Sequence, residues 1–422
     1  MTTSAPRPHA SRALRFCFPT TFYPPYNFGG DGINVQRLAR ALVGRGHHVT
    51  VIHDVDAYNT LAGRGRDVTP AEADGVDVIS LKSRLGPLSP LLTQQTGHPV
   101  ANHRRLRGAI ESGRFDVINY HNVSLLGGPG LLAYGSNVVK LYTAHEHWLV
   151  CPTHVLWRHR KEPCPARQCL RCQLVYRRPP QLWRNAGVLE KYLHHVDEFI
   201  AFSEFSRLKH REFGFPRDMR VLPGFTAVHN AEARVIGPSP NARPYFLFVG
   251  RLERIKGLDD VISVFRDYPD ADLLIAGEGK HTPRLTELAH GAANVRFLGR
   301  VPYDELGTYY RHAIATVVPS VAYETFGAVV IESLAHGTPV IGRDRGGVAE
   351  TVRLSGGGDL FTTGSDLRES MIRFQRDVAH RELRAAAGST AYTEHWSEDA
   401  VLGKYLELVF EVLNRRKDCA RS

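Results

Sequence analysis

The stretch from Val317 to Val340, VVPSVAYETFGAVVIESLAHGTPV, restricts the possible fold more than any other part of the chain. A β-branched run from Ala315 to Val318 stops at Pro319-Ser320. A short loop then carries Glu324-Thr325-Phe326-Gly327, and an Ala/Leu/Ile-rich segment continues to His336-Gly337. The order is strand, loop, helix, with Gly337 as the helix stop and Pro339 as the first step into another strand at Val340-Ile341. Ligands of open α/β sheets sit where loops leave the carboxyl ends of strands, beside helix N-termini whose free N–H groups attract anions and hydroxyl oxygens. Glu324 and the amides of Thr325, Phe326, Gly327 and Ala328 are therefore expected to face a cleft. Glu332 follows inside the helix. Taken singly, Glu324 reads as a carboxylate favouring the helix dipole and Glu332 as a solvated helix residue.

The combination is more specific than either residue. Pro319-Ser320, then Glu324 with Phe326-Gly327, a second Glu eight positions on and A-x-G-x-P-V form a long ordered pattern. It resembles the donor-binding segment of family 4 retaining glycosyltransferases. The resemblance implies that Glu324 and the loop amides hold the donor sugar and that Glu332 holds the ribose hydroxyls of the nucleotide. It also implies an α/β fold of two Rossmann-like domains facing across a cleft, the GT-B type.

With 422 residues the chain is too long for one ordinary core and suits two domains. No apolar run approaches the length of a membrane span, and MTTSAPRPHASRALRFCF lacks the apolar core of a signal peptide. A cytoplasmic protein is expected, with at most peripheral membrane association and a disordered tail at 1–13. The formal charge of +10 gives a positive potential that attracts phosphates of any origin, so it does not choose among nucleotide, acceptor, lipid and nucleic acid.

Leu14 to Phe18 reads as a buried strand and Ile33 to Leu42 as a helix, with a second strand at His48 to His53. Gly29 and Gly30 just before that helix let backbone approach a phosphate, although a turn explains them equally well. The wider string, Gly-Gly with Leu38-Ala39, Leu42 and Arg45-Gly46-His47, resembles the first unit of the same family, where this loop faces the donor diphosphate. From Asn59 to Arg107 the pattern carries little beyond a strand at Val76 to Leu81. Strands at Phe115 to Tyr120 and Val138 to Thr143 run into His121 and His145, at carboxyl ends of strands. The resemblance favours His145, placing it beside the transferred sugar.

Four of the six cysteines, Cys151, Cys164, Cys169 and Cys172, follow within 22 residues, with gaps of twelve, four and two. Four thiols ending in C-x-x-C suit a tetrahedral structural zinc site. An iron–sulfur cluster and unliganded thiols remain open, whereas disulfides do not suit a reducing compartment. Similar H-x-x-W-x-x-C-P segments with downstream cysteines occur in a subset of the same family, so the insertion at 151–172 fits it.

A helix from Leu182 to His194 and a strand at Phe199 to Phe202 complete an N-terminal, acceptor-side domain over 14–225. A linker at 226–243 leads to a nucleotide-sugar domain over 244–390, and 391–422 form a terminal helix expected to pack back on the first domain. Tyr245 to Val249 is a strong strand followed by Gly250-Arg251 and Lys256-Gly257. A cation pair there suits a departing diphosphate, which gains negative charge as the glycosidic bond breaks. The family match assigns that role to Arg251 and Lys256. It also assigns nucleotide-base contacts to the loops at Gly277-Glu278 and Val301. One departure is Gly224, where the family commonly carries Asn.

The sequence thus points to a retaining hexosyltransferase that uses a nucleotide diphosphate sugar, a UDP-sugar first, without a catalytic divalent metal. Its acceptor is a hydroxyl of a polysaccharide, a lipid-linked chain or a small metabolite such as an aminocyclitol. A zinc-containing nucleic-acid-binding protein is disfavoured because the cations are dispersed and no aromatic-basic module occurs. A nicotinamide dehydrogenase lacks its G-x-G-x-x-G and the acidic ribose anchor.

Overall fold

A computed structural model describes residues 12–62, 74–226 and 237–421. Residues 1–11 of the expected tail and 227–236 of the expected linker lie outside them. No helix among the described residues is long and apolar enough to cross a membrane.

The strands are β1 (Arg15–Pro19), β2 (His48–Asp54), β3 (Asp77–Leu81), β4 (Val117–Tyr120), β5 (Val139–Ala144), β6 (Trp157–Arg158), β7 (Glu162–Pro163), β8 (Glu198–Ala201), β9 (Met219–Val221), β10 (Tyr245–Val249), β11 (Asp272–Ala276), β12 (Val295–Gly299), β13 (Thr316–Val318), β14 (Val340–Arg343) and β15 (Gly358–Phe361). One sheet has the order β3-β2-β1-β4-β5-β8-β9 and another β12-β11-β10-β13-β14-β15, while β6 and β7 make a small antiparallel hairpin. In the six-stranded sheet all five pairs are parallel, and so are β1 with β2 and β4, β2 with β3, and β4 with β5 in the other. These are two doubly wound α/β domains, as the alternation of strands and helices requires.

By contacts the chain divides into two compact units: residues 1–142, 183–198 and 409–422 in the first, and 143–182 with 199–408 in the second. The segment after β5 joins the second unit because it hydrogen-bonds to the loop at 323–325. In the first unit, Arg415 and Arg416 of the terminal helix Glu398–Arg421 pair with Glu198 and Asp197.

The second unit shows why its strands read so clearly. Phe246 and Phe248 enter a core with Leu258, Ile262 and Phe265 on one face of β10. Tyr245 and Leu247 pack with Leu274, Leu306 and Tyr310 on the other. A strand buried on both faces must be continuously apolar, and each such side chain contributes about 1.5–3 kcal/mol on burial. The order 3-2-1-4-5-6 puts a switch point between β10 and β13, where the chain winds in opposite directions.

Two stretches differ from their sequence reading. The expected helix over Leu182 to His194 is a short 3₁₀ turn, Leu182–Arg184, and a helix, Val188–Leu193. Gly187, at φ +67°, separates them. The opaque region holds helices Val55–Ala62, Leu88–Thr96 and His103–Ser112. Leu88–Thr96 leaves Leu88 and Leu91 exposed, which blurs the apolar period that would have announced it.

Candidate active site

Every loop that the sequence singled out in the second unit leaves the carboxyl edge of its parallel sheet. Arg251 and Lys256 follow β10, Gly277 and Glu278 follow β11, Val301 follows β12, and Glu324 to Gly327 follow β13. The β10 and β13 loops flank the switch point and meet there. Gly257 makes the meeting possible: it has φ +73°, and a Cβ on it would stand 2.1 Å from the Pro319 carbonyl oxygen. Val321 N–H donates to the Ile255 carbonyl at 2.9 Å, continuing the contact. Lys256 Nζ is thereby brought 2.5 Å from Glu324 Oε1, which also accepts from Ser320 Oγ at 2.7 Å.

Burial would raise the Glu324 carboxyl pKa, but the Lys256 charge and hydrogen bond, then Ser320 and Arg251, outweigh it and hold it below the ordinary value. The pair is an ionised carboxylate beside an ammonium, each about a quarter exposed. Arg251 is more open and pairs with Glu253 at 3.0 Å.

The β14 end pins this loop from outside. Arg343 Nε donates to the Pro319 carbonyl at 2.9 Å, Arg345 to the Val321 carbonyl at 2.7 Å, and Gly347 N–H to the Glu324 carbonyl at 2.9 Å. Phe326 packs into a core with Val330, Ile331 and Phe202, and a Cβ on Gly224 would lie 3.3 Å from its ring. A larger residue at 224 would press on the loop from below, a local reason for the glycine. Gly327 precedes the helix Ala328–Ala335, on which Glu332 accepts from Tyr310 Oη at 3.3 Å.

The segment after β5 is clamped to the same loop on both sides of Glu324. Thr325 Oγ1 donates to the His145 carbonyl at 2.8 Å, and His147 Nε2 lies 3.2 Å from the Tyr323 carbonyl. A carbonyl only accepts, so Nε2 of His147 carries the proton. Ser203 Oγ donates to the Thr325 carbonyl at 2.6 Å. Burial pushes His145 down to about 4 and His147 to about 3, so both are neutral imidazoles near pH 7. The His145 ring lies edge-on to Phe202, which in turn touches Phe326.

Sequence reasoning missed Arg343, Arg345, Ser203 and the anchoring role of His147. Ser320 and His147 stood inside strings that were already conspicuous. The arginines and Ser203 lie far away in the chain, and no local pattern announces them.

In the first unit, Gly29 and Gly30 open the helix Gly30–Gly44, and Asn27 hydrogen-bonds both ways to Gly29. A Cβ on Gly30 would meet nothing within 4 Å, so packing does not require that glycine. His121, after β4, is buried edge-on to Phe18. Cys151, Cys164, Cys169 and Cys172 all line one cavity in the second unit. As placed, no three His, Cys, Asp or Glu among the described residues form a group that could hold a metal ion.

With this geometry in hand, comparison with known proteins is informative. Residues 28–230 match the family Glycosyltransferase Family 4, and residues 230–393 match Glycosyl transferases group 1. The chain is 29% identical over 424 residues to the D-inositol 3-phosphate glycosyltransferase of Acidothermus cellulolyticus, covering 91% of this chain and 86% of that one. It is 24% identical over 404 residues to the phosphatidyl-myo-inositol mannosyltransferase of Mycobacterium leprae, covering 92% and 95%. The fold superposes on Anabaena HepE in complex with UDP and glucose with a TM-score of 0.66 at 16% identity, covering 94% and 100%. The chain is therefore a glycosyltransferase of the two-domain GT-B fold, in which a family 4 type sequence precedes a group 1 sequence.

Proposed function

We propose that the protein is a retaining hexosyltransferase that moves a hexose or N-acetylhexosamine from a UDP-sugar to a hydroxyl group. The observation that carries the reading is the Lys256–Glu324 ion pair at the switch point of the donor-side sheet. Both hydrogen bonds to Glu324 fall on Oε1, which leaves Oε2 to accept from a sugar hydroxyl. The amides of Thr325, Phe326 and Gly327 then face the same sugar. Lys256 and Arg251 supply positive charge to the departing diphosphate.

Glu332 receives the ribose hydroxyls, and the loops at Gly277, Glu278 and Val301 receive the base. His145 contacts the transferred sugar as a neutral imidazole, while Gly29 and Gly30 open a helix whose amides suit a phosphate. The acceptor hydroxyl attacks C1 on the face from which the diphosphate leaves. The C1–O bond to phosphate breaks as the new C1–O bond forms, and the acceptor proton passes to the departing phosphate oxygen. The acceptor is a polyol, lipid-linked or polysaccharide hydroxyl; the inositol-type acceptors in the names of two relatives support a cyclitol. The proposed domain limits are 14–225 and 244–390, and the proposed setting is cytoplasmic.

A panel of nucleotide diphosphate sugars, followed by release of the nucleoside diphosphate with cyclitol and glycan acceptors, tests this. UDP release that depends on acceptor is expected. Turnover with no nucleotide sugar would remove the reading. Because Lys256 and Arg251 supply the counter-charge, the same reaction is expected to persist when a chelator removes magnesium and manganese. Activity lost on chelation and restored by magnesium but not by zinc would overturn that role.

A further inference from the structure

The cysteine segment is poor in the usual means of holding a fold. Its regular elements are two two-residue strands, β6 and β7, and the seven-residue helix Cys169–Val175, all too short to be stable alone. Between Arg158 and Arg171 the side chains are mainly charged or polar. Yet His154, Leu156, His159 and Arg160 all adopt positive φ, between 45° and 77°. For residues with a Cβ this costs roughly 1–2 kcal/mol each and persists only where the surroundings impose it.

The side chains that converge here are the four thiols. Cys151, from the turn after β5, and Cys164, Cys169 and Cys172, from beyond the hairpin, line one cavity of ≈ 20 Å³ walled by Leu156, Trp157 and Phe213. A space of that size takes one water-sized or ion-sized occupant. Arg158 and Arg167 also line it. That is the wrong surrounding for a bare cation and the right one for a metal–tetrathiolate centre, whose net charge is negative. The His159 amide points at Cys172 Sγ, 3.5 Å away, as amides do toward ligating sulfurs.

We propose that Cys151, Cys164, Cys169 and Cys172 bind one zinc ion as thiolates, and that this ion fixes the insertion against the turn that carries Lys256. The thiols as placed are turned to local oxygens: Cys151 to Thr153 Oγ1 at 3.3 Å, Cys164 to the Ala166 carbonyl at 3.3 Å, Cys172 to the Trp157 carbonyl at 3.9 Å. Binding exchanges these weak contacts for four Zn–S bonds of about 2.3 Å and releases the four thiol protons. The ordered hairpin reaches the donor side through Arg254, whose guanidinium donates to the Arg160 carbonyl at 3.4 Å.

Elemental analysis of the purified full-length protein, combined with titration of its thiols in the native state, tests the proposal. About one zinc per chain is expected, released into a colorimetric zinc indicator when a mercurial captures the thiols. Cys169→Ser with Cys172→Ser is expected to lose the zinc, and Cys17→Ser with Cys419→Ser to keep it. Cobalt exchanged into the wild type is expected to give a thiolate-to-cobalt charge-transfer band, a readout that does not depend on any variant folding. A metal-free wild type with four rapidly reacting thiols, iron with visible cluster absorption, or thiols found oxidised in pairs would each overturn it.

Discussion

Lys256→Ala is expected to lower kcat about a hundredfold while changing the donor KM little. Removing one preorganised donor to a developing oxyanion typically costs about 3 kcal/mol in the transition state. Lys256 fits that description because its turn is fixed on both sides: Gly257 lies against Pro319, and the Ile255 carbonyl accepts from Val321. The ammonium has three N–H bonds, and Glu324 takes one of them. A purely structural role, in which Lys256 only holds Glu324 in position, predicts something else: Lys256→Ala and Glu324→Gln would then raise donor KM together. Steady-state kinetics on both variants separates the two, and near wild-type turnover in Lys256→Ala would remove the leaving-group role.

The second large effect is on stability against acid. Burial depresses His53, His145, His210 and His336 to about 4 and His147 to about 3. The unfolded chain takes up these protons near pH 6.5, whereas the folded chain does so only near 4 or below. Between those limits the unfolded state binds more protons, so stability is complete above pH 6.5 and falls as the pH is lowered. The loss is on the order of 1.4 kcal/mol per pH unit for each histidine that titrates fully.

Glu146, whose burial is outweighed by His154, and Glu324 act in the same direction, because their depressed carboxyls contribute stability that is lost as the pH falls through the folded values. Asp54, which burial raises to about 7, opposes them: it favours the folded state as the pH falls from 7 toward 4. One opposing group does not offset five histidines. The melting temperature is expected to drop steeply between pH 7 and 5, and His336→Gln to make the slope shallower. A melting temperature that stays level over that range would contradict the buried neutral histidines.

Much of the second domain was legible because its parts are local. The strand read at Tyr245 to Val249 is β10 residue for residue, since burial on both faces leaves an unbroken apolar run with sharp ends. The loop and helix around Glu324 and Glu332 carried their own stop signals in Pro319, Gly327 and Gly337. The contacts that make the loop a site are long-range, and so were not readable. Arg343, Arg345, Ser203 and the His145 to His147 segment reach it from 24 to 180 residues away in sequence. The same limit hid the contact grouping of residues 143–182 with the second unit. Before its strands can be counted, that stretch reads as a continuation of the first domain. The cysteines were visible as a spacing, but only the fold brings all four to one cavity.

Equilibrium binding of UDP to the purified full-length protein, measured by calorimetry, tests the donor-site assignment most directly. The account predicts one UDP per chain. Glu332→Ala is expected to weaken binding on the order of tenfold or more, as loss of hydrogen bonds to a charged group does. Absence of binding by UDP and every other nucleoside diphosphate, or binding that Glu332→Ala does not alter, would contradict it.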